Sequence, residues 1–133
     1  MKPVTAIAMA WLAAIPLAAP ATAQDPAKAM VDVRDAGMLT RAQLEGQALF
    51  DGTCAACHGT AGSGQFGLGP PLIHRVYEPS HHGNASFVQA VAQGVRAHHW
   101  RFGNMPPQPG VTKDEVLLIV NYIRALQRAN GID

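Results

Sequence analysis

The clearest pattern of apolar and polar positions lies near the C-terminus and predicts an amphipathic helix. Thr112 and Glu115 form a capping-box pattern at its start, and Gly131 is a typical C-terminal stop. Apolar residues between them recur at steps of three and four, which places them on one helical face: Val116, Ile119, Val120, Ile123 and Leu126. This face must be buried against another element.

A second pattern predicts a helix from Arg41 to about Asp51. Thr40 and Gln43 form a capping box before it, and Leu39 with Leu44 forms the matching hydrophobic staple. Gly46 and Phe50 share one face of this helix, which allows another helix to approach closely.

A shorter helix is predicted from Ser86 or Phe87 to Gln93, with Ser86 and Gln89 as its capping box and Gly94 at its end. Convincing period-two alternation, the signature of a strand, does not occur along the chain. The predicted fold class is therefore all-α with long connections.

The N-terminus has the organisation of a secretory signal peptide, residues 1–23. Lys2 supplies the positive region, Val4 to Ala19 the apolar region, and Ala21-Thr22-Ala23 the small residues before cleavage. The alternative is an uncleaved membrane anchor, and the prolines and alanine-rich composition of the segment argue against it. We therefore predict cleavage after Ala23, export to the periplasm and no stable membrane insertion.

The exported chain divides into a lead-in, residues 24–39, and one small domain, residues 40–133. The lead-in lacks an apolar period and is predicted to be flexible or loosely packed. Without Lys2, 9 of the 10 Lys and Arg residues remain against 9 Asp and Glu residues, a net charge of zero. This balance excludes a typical nucleic-acid-binding protein.

The candidate chemistry lies in Cys54-Ala55-Ala56-Cys57-His58, a pattern typical of covalent haem attachment. A redox dithiol, half of a zinc site and a disulfide are the alternatives. The chain has only 2 cysteines, so a four-thiolate zinc site is impossible. No β-rich run precedes Cys54, as a thioredoxin-like dithiol would require.

Residues 59–85 contain many glycines and prolines but no periodic element. So long a loop within a compact domain is unusual unless it wraps a large cofactor. A disordered insert is the alternative, but the segment is too apolar for that, with Phe66, Leu68, Leu72, Ile73, Val76 and Tyr77.

Four features together resemble the class I monohaem cytochrome c family over almost all of the mature chain. In the order that this family uses, they are Phe50 four residues before Cys54, Gly69-Pro70-x-Leu72, Met105-Pro106-Pro107, and Tyr122-Ile123 on the terminal helix. The resemblance implies an all-α class I cytochrome c fold, with three to four helices and long loops wrapped around one covalently bound haem c.

The resemblance also implies roles for single residues. Cys54 and Cys57 would attach the haem, and His58 and Met105 would be the axial ligands of its iron. Pro70 would accept a hydrogen bond from His58 through its carbonyl.

Two packing contacts are implied as well. Leu72 would pack on the haem face. The Gly46–Phe50 face of the first helix would cross Tyr122 and Leu126 of the last.

Rivals to Met105 are Met30 and Met38 in the lead-in, a histidine, or an open sixth position. Met105 is better placed than either methionine because the prolines after it stiffen its loop. Trp100 and Arg101 are expected in the wall of the haem pocket, by packing and by propionate pairing.

Two histidine pairs, His81-His82 and His98-His99, are not required by the family pattern. The simplest interpretation is that they hydrogen-bond haem propionates and loop carbonyls. The alternatives are a copper or zinc site and a docking site for a copper protein.

An iron with both axial positions filled has no place for substrate, so the expected function is one-electron transport and not catalysis. The expected partners are a membrane quinol-oxidising complex or dehydrogenase and a terminal oxidase or reductase, one of which could be a copper protein. Three alternatives stay open. The protein could be a subunit of a larger oxidoreductase, a gas- or peroxide-reactive haem enzyme with a displaceable Met105, or a copper-handling module using the histidine pairs.

Overall fold

The computed structural model describes residues 28–133, and the predicted signal peptide lies outside them. Across this range the regular structure is helical, with isolated β-bridges but no strand. The elements are α1 (Arg41–Thr53), α2 (Ala55–His58), α3 (Asn84–Gln93) and α4 (Lys113–Ala129), with 3-10 turns at Thr60–Gly62 and Arg75–Tyr77. Within 28–133, no helix is both long and apolar enough to cross a bilayer. The all-α prediction is confirmed.

Two of the three predicted helix starts are confirmed. Thr40 with Gln43, and Thr112 with Glu115, form complete capping boxes. The third capping box is wrong: α3 begins at Asn84, its N-cap is Gly83, and Ser86 lies inside the first turn. The Ser86 N–H donates to the Gly83 carbonyl at 2.9 Å, so the backbone makes the first-turn bond there.

The core centres on the crossing of α1 and α4. A Cβ atom at Gly46 would lie 2.1 Å from the Leu118 carbonyl oxygen, so the two backbones are in direct contact. Beside this point the rings of Phe50 and Tyr122 pack at 5.9 Å between centroids. Phe50 and Ile123 are completely buried. The predicted crossing of the first and last helices is confirmed for Phe50 and Tyr122. Gly46 lies against Leu118 and Ile119, one turn before the predicted contact with Tyr122 and Leu126.

A buried polar network joins α4 to the loop before α3. The Arg124 guanidinium donates to the Tyr77 carbonyl at 2.6 Å, to the Asn84 side chain at 3.1 Å and to the His82 carbonyl. Gln127 is fully buried and donates to the carbonyls of Leu72 and Tyr77 at 2.9 and 3.0 Å. The long loop is therefore held to the core through its backbone.

The described part of the lead-in, residues 28–39, contacts the domain at several points. The N–H groups of Met30 and Val31 both donate to the Ser63 carbonyl at 3.1 Å. Arg34 and Asn130 exchange two hydrogen bonds of 2.8 and 2.9 Å. Three apolar residues also pack against the core: Val33, Ala36 and Leu39. Residues 28–39 therefore make specific contacts with the domain although they lack a helical period, and the flexibility of the lead-in stays a prediction.

Candidate functional site

Helices α1 and α2 place both cysteines and the histidine on one helical turn. The Cys54 N–H continues α1 by donating to the Phe50 carbonyl at 2.8 Å. The Cys54 carbonyl then accepts from the N–H groups of Cys57 at 3.1 Å and His58 at 2.9 Å. The motif is therefore a rigid unit anchored to the helix that carries the core residue Phe50.

The two thiols differ in environment. Cys54 is half-buried against the core and Cys57 is exposed. Burial, with a smaller effect of neighbouring Cys57, raises the pKa of Cys54 to about 11. A redox dithiol requires a thiol whose pKa is lowered towards neutrality. The environment of Cys54 therefore argues against that alternative.

His58 is held in the orientation that a metal ligand needs. Its Nδ1 lies 2.9 Å from the Pro70 carbonyl oxygen, and a carbonyl can only accept, so Nδ1 carries the hydrogen. The Nε2 atom is then left with a free lone pair. Burial lowers the pKa of His58, partly opposed by the bond to Pro70, which favours the neutral ring that binds iron.

The loop that supplies Pro70 lies against the cysteine turn. A Cβ atom at Gly69 would lie 2.6 Å from the Cys57 carbonyl oxygen, so only glycine fits there. Leu72 follows with its N–H donating to the Gly62 carbonyl at 2.8 Å, and its side chain is buried in the core cluster. Close backbone approach at Gly69 thus brings the Pro70 carbonyl to His58.

Met105 lies at the base of a closed loop. It exchanges backbone hydrogen bonds of 2.9 and 3.0 Å with Val95. Within the loop the Ala97 N–H donates to the Asn104 side chain at 2.9 Å. The Met105 side chain is half-buried. The structure fixes the position of its backbone, and the role of its thioether as an iron ligand stays a prediction.

The rival methionines lie in different surroundings. Met38 is fully exposed. The Met30 sulfur packs beside Gly64, 2.9 Å from where a Cβ atom would stand there. Packing against the loop is therefore the observed role of Met30.

Trp100 provides a test of whether these residues fit a haem. Its ring packs edge-on against His74 at 5.2 Å and stacks on Phe102 at 5.8 Å. Among residues 28–133 its buried indole Nε1 has no hydrogen-bond partner of good geometry. Tyr77 lies nearby: burial raises the pKa of Tyr77, and Trp100 partly opposes that shift. A buried donor of this kind needs an acceptor, and a haem propionate is one. Arg101 is exposed, so of the two wall residues it is Trp100 that has a buried donor to satisfy.

The family assignment rests on this arrangement and on comparison with known proteins. The sequence profile described as "Cytochrome c" matches residues 43–127, which is more than half of the chain. The chain belongs to the cytochrome c family. The fold and the motifs are those of a class I c-type cytochrome, and the cofactor is haem c. Searches among curated proteins and solved structures give no significant match.

Two features of this c-type cytochrome are not reached from sequence patterns alone. Arg124 and Gln127 interrupt the apolar face of α4 yet are buried, and only their i, i+3 spacing inside that face hints at a shared network. His74 caps the 3-10 turn by accepting from the Val76 N–H at 3.2 Å and packs on Trp100. The sequence does not predict the buried network of Arg124 and Gln127 or the capping by His74, because both depend on the shape of the loops.

The histidine pairs come together, although they lie on separate loops. His81, His82 and His99 each offer a ring nitrogen, and these nitrogens lie within 4.8 Å of one another. The His98 ring is 4.2 Å from that of His99. By contrast, two surface pockets of about 520 and 400 Å³ in the described region are lined by neither these histidines nor the cysteine motif.

Proposed function

We propose that this cytochrome is a periplasmic one-electron carrier with a single haem c ligated by His58 and Met105. The observation that carries the proposal is the hydrogen bond of 2.9 Å between His58 and Pro70, because it directs the His58 Nε2 lone pair away from the backbone. A ring held in this way is a strong axial ligand.

Attachment would use the cysteine turn. The Cys54 and Cys57 thiols each add S–H across one vinyl group, so two C–S bonds form with no net oxidation. When bound, the haem supplies reversible one-electron iron chemistry. Cys54 is the N-cap of α2, and Cys57 and His58 lie within this helix, so the attachment points would be fixed relative to the axial ligand.

Met105 would fill the sixth position. Its backbone bonds to Val95 limit the freedom of the loop, and Pro106 and Pro107 restrict it further. A thioether ligand stabilises the ferrous state and raises the potential relative to a second histidine. With both axial positions occupied, the iron would exchange electrons and not bind substrate.

The proposed partners are proteins that donate or accept single electrons. A membrane quinol-oxidising complex or a dehydrogenase would donate electrons, and a terminal oxidase or reductase would accept them. Near-zero net charge of the mature chain favours small, short-lived docking with weak long-range steering. Export and cleavage after Ala23 are supported by the sequence pattern of residues 1–23.

The test uses purified protein from a host that attaches c-type haem. The intact mass should equal residues 24–133 plus one haem, and the ferric spectrum should show the weak far-red band of sulfur ligation. Met105→Ala should remove that band, lower the potential and admit carbon monoxide. Met38→Leu is the matched control and should change none of these.

Three results would contradict parts of the proposal. Colourless protein would exclude haem attachment. Retention of the far-red band in Met105→Ala would exclude Met105 as the ligand. Rapid binding of carbon monoxide by the native protein would replace the carrier with a haem enzyme or sensor.

A further inference from the structure

We propose that His81, His82 and His99 bind one divalent transition-metal ion, Zn²⁺ or Cu²⁺, at the protein surface. The site uses none of the residues assigned to the haem and does not depend on electron transport. It departs from the simplest interpretation of the sequence, in which the histidines bond only propionates and loop carbonyls.

Distance is the first argument. Three ring nitrogens from two loops lie within 4.8 Å of one another. Nitrogens that share one tetrahedral zinc stand about 3.4 Å apart, given Zn–N bonds of about 2.0–2.1 Å. His81 and His99 are exposed, so side-chain rotation can close the difference without moving the backbone.

Orientation of the rings is the second argument. The His82 Nδ1 donates to the Val76 carbonyl at 2.6 Å, which leaves its Nε2 lone pair free. Neighbouring His98 has the same arrangement, with its Nδ1 donating to the Arg96 carbonyl at 2.8 Å. Backbone carbonyls commonly orient metal-binding imidazoles in this way.

Support of the backbone is the third argument. The N–H groups of His81 and His82 donate to the Glu78 carbonyl at 3.1 and 2.8 Å, which fixes the turn that presents them. The His82 carbonyl accepts from buried Arg124, so this half of the site is anchored to α4. Less ordering is then needed when the ion binds.

The ligand set indicates the class of metal. Three imidazoles suit zinc and copper, whereas magnesium and calcium prefer oxygen ligands. Three protein ligands leave a fourth position open to solvent. The bound ion would connect the turn at 78–82 to the loop at 95–105, which also carries Met105.

The experiment titrates ferric holoprotein with ZnCl₂ or CuCl₂ by calorimetry. We expect one ion per chain with a dissociation constant of micromolar or below. The visible haem spectrum should stay unchanged. The bound Cu²⁺ should show hyperfine coupling to imidazole nitrogen in its electron paramagnetic resonance spectrum.

Variants decide which residues bind. His81→Gln and His99→Gln alter exposed rings and should each weaken binding at least tenfold. His98→Gln, which removes a ring outside the ligand set, should weaken it less than tenfold. His74→Asn is the matched control, since asparagine can still cap the 3-10 turn there, and it should bind as the native protein does.

Absence of one-to-one binding, or equal affinity in the His81→Gln and His99→Gln variants, would overturn the proposal. A loss in His98→Gln as large as in the other two would overturn the three-ligand assignment. Because the readout is metal binding at a surface site that uses none of the residues assigned to the haem, failure here leaves the electron-carrier proposal intact. Failure of that proposal would likewise leave the metal measurement valid.

Discussion

Replacing Gly46 by alanine should separate α1 from α4 and destabilise the protein. The new Cβ would lie 2.1 Å from the Leu118 carbonyl oxygen and 2.6 Å from its carbonyl carbon. An ordinary carbon–oxygen contact is about 3.3 Å, so the helices must move apart by about 1 Å. Both contacting atoms belong to backbone and cannot rotate away.

The expected cost follows from what this movement disturbs. Overpacking in a core costs about 1–3 kcal/mol, and a backbone clash beside fully buried Phe50 belongs at the upper end. Alanine regains about 1 kcal/mol of helix propensity over glycine. The net destabilisation should therefore be about 2 kcal/mol.

Gly52 in the same helix provides the control. A Cβ at Gly52 meets nothing within 4 Å, so Gly52→Ala keeps only the propensity gain of about 0.5–1 kcal/mol. The two variants should differ by about 3 kcal/mol, or roughly 10 °C or more in Tm for a domain near 100 residues.

Thermal unfolding of the haem-loaded proteins, followed by far-ultraviolet circular dichroism, measures this difference. The visible spectrum of the folded fraction should match in both variants, because the axial ligands are untouched. A Gly46→Ala protein as stable as Gly52→Ala would refute the close helix crossing.

Two further predictions concern polar groups. Hydrogen bonds from the Thr112 backbone and then its side chain lower the pKa of Glu115. A carboxyl whose pKa is lower in the folded than in the unfolded state stabilises the fold at pH values above its unfolded-state pKa. This stabilisation is lost as the pH falls through the folded-state pKa. The stability difference between native protein and Glu115→Gln, which retains the cap, should shrink from pH 6 to pH 3 in denaturant titrations, and a constant difference would exclude this linkage. Arg124→Met should cost about 2–4 kcal/mol by leaving buried acceptors unpaired, while the control Arg128→Met on the exposed face should change Tm little.

The helices could be predicted because their signals are local. The capping boxes at Thr40 and Thr112 act over three residues, and the apolar face of α4 repeats every three or four. The predicted start of α3 is wrong because no local signal marks the true one. Its N-cap, Gly83, has no side chain that could cap the helix, and the serine pattern that does occur lies inside the first turn.

The candidate site could be predicted only in part. The cysteine motif and its histidine are adjacent in sequence, and Pro70 was inferred from the family resemblance. The contacts of the lead-in with the Ser63 carbonyl and the Asn130 side chain could not be predicted, because they carry no periodic signal. The convergence of the histidine pairs was also missed, since it depends on how two aperiodic loops fold.

Arg124 explains how an aperiodic loop can nevertheless hold a defined shape. Its guanidinium bonds to the carbonyls of Tyr77 and His82 and to the side chain of Asn84. One α4 side chain therefore fixes two points of the segment before α3 and the first residue of α3 itself. His82 is both one of these points and a proposed metal ligand. Arg124→Met should consequently weaken metal binding as well as stability, whereas Gly46→Ala should lower stability and leave the metal affinity of the folded protein unchanged. The two variants thus distinguish the support of the loops from the packing of the helices.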